Sequence, residues 1–245
     1  MSSKLRASNN KMIGFSIHEG VEITNSMIHD IAALFSDNYG IWSAAAQGRR
    51  QGRRIRSSPA RLRSDCSPGA PARNFLVQAR DADILIGHVL ATRWTFQDLD
   101  LCWITQLCVC KNYRHQGLAT KLLAKLSENN DDDGFGILSS HPFAVAAALR
   151  AFSGGLDQVE EYTISFPIRA ILASCPVNYV RTAELRGSLF DIEVIDGTVS
   201  CADTKFFVDH TEPDTALDAV QSKGIQWPFG RLPEGHEFLV FIEHP

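Results

Sequence analysis

Residues 104–129 read ITQLCVCKNYRHQGLATKLLAKLSEN, and the fold is decided there. The apolar run 103–110 is rich in β-formers, long enough for one buried strand and too short for a helix that packs alone. A polar turn, 111–116, follows. Beyond it Leu118, Ala119, Leu122, Leu123 and Leu126 recur on one helical stripe, with Lys121, Lys125 and Glu128 on the opposite side. The stretch therefore predicts strand, short loop and amphipathic helix.

The loop carries the chemistry. A helix N-terminus presents unpaired backbone N–H groups and a partial positive charge, both of which favour a bound anion. Gly117 lets backbone approach such a ligand, and Lys111, Arg114, His115 and Lys121 add cationic or titratable side chains around the same spot. A phosphate-bearing ligand is expected. No Gly-Lys-Ser/Thr follows a glycine loop and no G-x-G-x-x-G is present, so neither nucleotide fingerprint applies. In their place stands Arg114-His115-Gln116-Gly117-Leu118-Ala119.

That hexapeptide, with the strand LCV before it, the Tyr113-Arg114 pair and the leucine helix after it, resembles the GNAT superfamily of acyl-CoA-dependent N-acetyltransferases, whose signature is Gln/Arg-x-x-Gly-x-Gly/Ala. The resemblance implies an α+β fold with a mixed, mainly antiparallel sheet flanked by helices. It also implies acetyl-CoA as acyl donor, with no metal, and a small-molecule or protein amine as acceptor. Coenzyme contacts fall on Cys108, Val109, Arg114, His115, Gln116, Gly117, Leu118, Ala119 and Thr120: the loop amides for the pyrophosphate, the strand backbone for the pantetheine arm. Two positions depart from the family's pattern. Gln106 stands where many members have a glutamate used as general base, and Ala148 where a tyrosine commonly protonates the leaving thiolate. Glutamine cannot take a proton at neutral pH, though it can orient an amine or a water. Gln106 and His141 are the candidates for catalysis, with His88 and Tyr162 as further proton carriers.

In chain order, 12–17 reads as a first strand, and Thr24 or Asn25 caps a helix with the stripe Met27, Ile28, Ile31, Leu34 and Phe35 that stops near Gly40. Asp37, Asn38, Tyr39 and Trp42 lie at or beyond its end, either as core aromatics and caps or as cleft lining. Arginines cluster in 49–63, and Ser58-Pro59 opens a short helix. Strands at 74–80 and 84–94 pair around Asp81-Ala82-Asp83, with Gly87 a possible bulge. After the leucine helix come an acidic turn at 129–133, a strand at 136–139 and a helix opened by His141-Pro142. Segment 154–202 reads as an insertion beside the acceptor cleft. Strands at 205–209 and 237–242, joined through a helix bounded by Thr211, Pro213 and Gly224, close a single domain in which 12–152 holds the core motifs.

Composition bounds the function. With 245 residues, 44% hydrophobic, 21% charged and a net charge of −4, the chain has no global pull toward nucleic acid or membrane. Six cysteines without paired C-x-x-C spacing read as reduced, mostly buried thiols. The first twenty residues lack the apolar core of a secretory signal, and no apolar stretch is long enough to span a bilayer, so a cytoplasmic or nuclear protein is expected. Two alternatives accompany the transferase: a degenerate module that binds acyl-CoA without turnover, suggested by Gln106 and Ala148, and a nucleic-acid or nuclear interaction protein using the arginines of 49–63.

Overall fold

Eight strands and seven α-helices are described by a computed structural model covering residues 13–69, 72–128, 130–156, 168–191, 193–194 and 196–243. In chain order these are β1 (Ile13–Glu19), α1 (Asn25–Asn38), α2 (Pro59–Cys66), β2 (Arg73–Asp81), β3 (Ile84–Phe96), β4 (Leu99–Val109), α3 (Leu118–Ser127), β5 (Gly134–Ser139), α4 (Pro142–Phe152), α5 (Ile168–Ser174), α6 (Asn178–Arg181), β6 (Glu184–Arg186), β7 (Cys201–Asp203), α7 (Thr211–Gln221) and β8 (His236–Glu243). The strands form one sheet in the order β1-β2-β3-β4-β5-β8-β7-β6. Only β4 and β5 pair in parallel; the other neighbours are antiparallel.

Local chemistry sets these elements. Thr24 caps α1 by accepting from the Met27 amide at 3.2 Å, and Ser58 caps α2 through Arg61 with Pro59 in the first turn. Ala82 at φ 52° turns β2 into β3, while Gln97 and Asp98 at φ 50° and 68° turn β3 into β4. The β2–β3 register shifts beside Gly87, where that glycine was expected to mark a bulge. A Cβ on Gly87 would lie 3.0 Å from a Leu122 methyl, so the glycine also lets α3 approach the sheet.

Alternation along β4 separates two cores. Cys102 and Ile104 face α3 and α4, where Leu118, Leu122, Leu123 and Leu126 of the expected leucine stripe are buried. Each fully buried leucine contributes about 1.5–3 kcal/mol. Leu101 and Trp103 face α5 and α6, and α1 and α2 continue that second face over Leu76 and Leu90.

The end of the chain departs from expectation in one place. Residues 205–209 form no strand: Val208 makes an isolated bridge to Trp42, and the strand paired with β8 is Cys201–Asp203. The apolar KFF run is occupied in capping α1, where Phe206 packs on Tyr39 and Trp42. Segment 184–203, all but its last residue within the insertion expected at 154–202, thus supplies β6 and β7 at one edge of the sheet. β8 lies between β5 and β7, as its two-sided apolarity required. Tyr162 and the start of the helical stripe expected from residue 164 lie outside the described residues.

Candidate active site

The site is built on a fork between β4 and β5. Parallel pairing runs from Leu101–Gly134 to Ile104–Ile137 and stops there. On the other edge of β4, Leu90 pairs with Gln106 while Ala91 pairs with Ile104, so Thr105 is an extra residue that bends the strand. Beyond this bulge β4 keeps β3 on one edge and parts from β5 on the other. The bulge is pinned on the α2 and α6 side: the Tyr179 hydroxyl donates to the Thr105 carbonyl at 3.2 Å, and the Thr105 hydroxyl donates to the Cys66 carbonyl at 2.9 Å.

At the mouth of the fork the chain turns into α3. His115 at φ 60° and Gly117 at φ 73° are both left-handed, and no side chain caps the helix. A Cβ on Gly117 would meet nothing within 4 Å, so backbone conformation rather than space calls for glycine. The first-turn amides of Leu118, Ala119 and Thr120 are the groups a helix start leaves without intrahelical partners. The Leu118 side chain itself is core. His115, Gln116 and Gly117 are exposed, and the His115 ring meets Phe143 of α4 edge-on at 5.2 Å, joining the two lips of the fork.

The cationic side chains do not all surround the anion site as expected. Arg114 points back into the protein: Nε donates to the Val109 carbonyl at 3.2 Å, Nη2 to the Asn38 carbonyl, and Nη1 to Glu212 at the start of α7. Lys111 Nζ stands 3.7 Å from the same carboxylate, and His141 Nε2 3.6 Å from it. The His141 ring beside it, then the Arg114 and Lys111 charges, hold the Glu212 carboxyl down at about 2 against the opposing effect of burial. Lys121 is exposed. Asn38 adds a second tie between α1 and the fork, accepting from the Lys111 amide at 2.9 Å.

Among the proton candidates, His88 is corrected. It is fully buried, and desolvation lowers its pKa to about 4, so the ring is neutral at pH 7 and does not titrate near neutrality. Its Nε2 lies 2.7 Å from Gln106 Oε1, while Nδ1 has no partner among the described residues. His141 caps α4, its Nδ1 accepting from the Phe143 amide at 3.2 Å. No hydrogen bond joins Gln106 and His141. Cys108 is buried behind α1 with its thiol pushed up to about 12 by desolvation, which makes it a core residue and not a nucleophile. Ala148 is buried in the α3–α4 core.

Three residues at the fork escaped the sequence reading. Glu212 reads as an ordinary acidic residue in a first helical turn. Tyr179 lies in the segment taken as an insertion. Glu237 opens the apolar run EFLVFI and reads as a solvated strand end, yet it is 6% exposed, with its carboxyl raised to about 7 by burial. A lone acid inside an otherwise apolar strand is the signal that was available.

The arginines of 49–63 are largely occupied within the chain. Arg54 donates to the Asp37 carbonyl, Arg61 pairs with Asp65, Arg63 reaches the Ile23 carbonyl and Asn25, and Arg49 stacks over Trp42 at 5.3 Å. Among the described residues no His/Cys/Asp/Glu group is arranged to hold a metal ion, and no helix is long and apolar enough to cross a membrane. All six cysteines are free.

Comparison with solved structures gives low-identity likenesses. An aminoglycoside acetyltransferase from an uncultured soil metagenomic sample is 13% identical, with 60% of this chain and 92% of that one covered at a TM-score of 0.40. The ribosomal-protein-S18-alanine N-acetyltransferase of Escherichia coli is 16% identical over 56% and 74% at 0.37. The GNAT family N-acetyltransferase YhbS of Escherichia coli, in complex with CoA, is 21% identical over 58% and 71% at 0.36. Comparison with curated protein sequences gives no match. Residues 31–144, from the middle of α1 through the fork and the α3 loop to the first turn of α4, match the acetyltransferase (GNAT) family model.

Proposed function

We propose that the protein transfers an acetyl group from acetyl-CoA to a primary amine by direct attack. The observation that carries this reading is the parting of β4 from β5 after Ile104–Ile137, with the uncapped start of α3 at its mouth. The β4 edge at Cys108 and Val109, which β5 leaves unpaired, suits an extended pantetheine arm, which would pair with it as a short added strand. The diphosphate then meets the amides of the loop and helix, Gln116, Gly117, Leu118, Ala119 and Thr120, beside His115. Arg114 enters this site only by exchanging its Glu212 contact for phosphate.

The thioester at the fork needs a neutral amine to attack it, while an alkylamine with a pKa of about 10 arrives mostly as ammonium. Well-oriented reactants can gain roughly 7–11 kcal/mol of the barrier. An amide of the parted β4 edge near Cys108 supplies a donor for the tetrahedral oxyanion. Gln106, held by His88, contributes orientation and takes no proton.

The test is calorimetry with acetyl-CoA followed by continuous thiol release across a panel of small amines, polyamines, amino sugars and N-terminal peptides. Binding with amine-dependent thiol release is expected. Folded protein that ignores millimolar acetyl-CoA overturns the reading. The engagement of Gln106 with His88 also suits a module that holds coenzyme without turning it over; binding with no thiol from any amine would favour that module.

A further inference from the structure

Glu237 is, besides Glu212, a carboxylate brought to the open end of the fork from outside the family's matched segment, and it is the buried one. β8 delivers it there: Phe238 pairs with Ser139, the last residue of β5, and Glu237 pairs with Ala202 of β7, so its position lies just past the point where β5 ends. Odd-numbered residues of β8, Leu239 and Phe241, face the α5–α6 side of the sheet, and Glu237 shares their face, opposite the face that carries α3 and α4.

Four elements bring polar groups to the same place. Tyr39, the C-cap of α1, lies beside Ser140 immediately after β5; Tyr179 of α6 holds the Thr105 bulge; Cys66 ends α2; Thr204, just after β7, lies beside the Glu237 carboxylate while its hydroxyl donates to the Gly235 carbonyl at 3.4 Å. The negative charge of Glu237 is felt by Tyr39, Tyr179 and Cys66, raising each. These are its titratable neighbours, and among the described residues no Lys, Arg or His pairs with it. A carboxylate buried without a cation is costly unless a cation arrives with a ligand. Tyr39 is backed by Phe35 and Phe206, with Trp42 edge-on to the latter, and aromatic faces of this kind receive an alkylammonium well.

Building on the acetyl-transfer reading, we propose that Glu237 is the general base of the reaction, receiving an alkylammonium acceptor from the α1–α6 side of the fork while the coenzyme enters from the α3–α4 side. The ammonium first gives one proton to the carboxylate, which passes it to water. The neutral nitrogen then attacks the acetyl carbonyl carbon, the new C–N bond forms, and a second proton leaves nitrogen for Glu237. The C–S electron pair departs with the coenzyme sulfur as thiolate, which is protonated on release. Burial, which lifts this carboxyl to about 7, matches its proton affinity to work near neutral pH.

The experiment compares wild type with Glu237→Gln, measuring acetyl-CoA affinity by calorimetry and the pH profile of thiol release with the best amine of the panel. Coenzyme affinity within twofold, kcat at pH 7 lower by roughly 10²–10⁴-fold, and loss of an acidic limb near pH 7 are expected. A variant that keeps half or more of wild-type kcat, with the acidic limb unchanged, overturns the assignment while acetyl transfer stands. Wild type that fails to bind acetyl-CoA overturns the transfer reading and the base with it. Should Glu237→Gln fold poorly, Glu237→Asp serves: retraction of the carboxylate by one methylene must lower kcat at least tenfold and keep the acidic limb, and an unaltered kcat overturns the role.

Discussion

Gln106 Oε1 and His88 Nε2 meet at 2.7 Å inside the sheet, the neutral ring donating to the amide. The pair fixes Gln106 at the start of the parted β4 edge, and it places a histidine where protonation is strongly resisted. In the unfolded chain that ring titrates near 6.5, in the folded one near 4. Between these values the unfolded state binds more protons, so His88 alone lowers stability as pH falls from 6.5 to 4, by about 3 kcal/mol over the whole window.

Glu237 acts in the opposite sense. Raised from 4.5 to about 7, it makes the folded state bind more protons across that interval, and the stability it contributes at low pH is lost as pH rises through 7. The two effects cancel between pH 4.5 and 6.5, while the carboxyls held near 2, Glu212 and Asp196, titrate below this window. Wild type is therefore expected to show a flat urea midpoint from pH 4.5 to 6.5. Glu237→Gln should unmask the His88 slope, losing about 2–3 kcal/mol on going from 6.5 to 4.5. Parallel pH curves for the two proteins would refute the opposition.

The strand, glycine turn and leucine helix at the mouth of the fork were legible in the sequence and its far wall was not, for a physical reason. Strand 103–110, Gly117 and the leucine stripe are local patterns, each set by neighbours within a few residues. The fork depends on where β4 stops pairing with β5, and its far wall on β8, more than a hundred residues downstream. Glu212 carries no local mark of its environment, because a helix–loop contact engages it, and Glu237 carries only that of an acid opening an apolar strand, which sheet order buries. Residues 205–209 read as a strand from their apolar spacing, whereas Phe206 packs on Tyr39 and Trp42 and no ladder forms there.

Arg93 and Asp132 form a buried pair with three hydrogen bonds of 2.7, 3.0 and 2.7 Å, and Arg93 Nη2 also donates to the Leu126 carbonyl at the end of α3. Asp132→Ala leaves the guanidinium buried without its counter-charge and should cost about 3–5 kcal/mol in urea unfolding, with little dependence on salt. Arg93→Met with Asp132→Leu should recover most of that loss. A single-variant cost below 1 kcal/mol, about the ceiling for an exposed pair, would contradict the burial.

Gly136 and Trp103 face each other across the parallel β4–β5 pair, and a Cβ on Gly136 would sit 2.0 Å from two atoms of the indole. The indole is fully buried and has no free direction. Gly136→Ala is expected to cost at least about 3 kcal/mol, at the upper end for overpacking. Gly14, on edge strand β1, has nothing within 4 Å of a built Cβ, so Gly14→Ala should change stability by no more than about 1 kcal/mol. Thermal unfolding of both variants checks the contrast, and equal shifts would defeat it.

Glu212 spans the two lips of the fork, touching Lys111 and Arg114 on the loop before α3 and His141 at the start of α4. On the acetyl-transfer reading its carboxylate and a coenzyme diphosphate would compete for the same cations, and a phosphate would win only by displacing it or sharing its partners. Neutralising it in Glu212→Gln removes both the competitor and a like charge near the anion. The dissociation constant for acetyl-CoA should fall three- to tenfold at low ionic strength, and the gain should shrink as salt is added, since Glu212 is 43% exposed and screened. Fold stability should change by less than about 1 kcal/mol, as for other exposed pairs. Calorimetry at two salt concentrations reads both quantities. Weaker binding by the variant would mean that Glu212 pre-positions Arg114 for the coenzyme instead of withholding it.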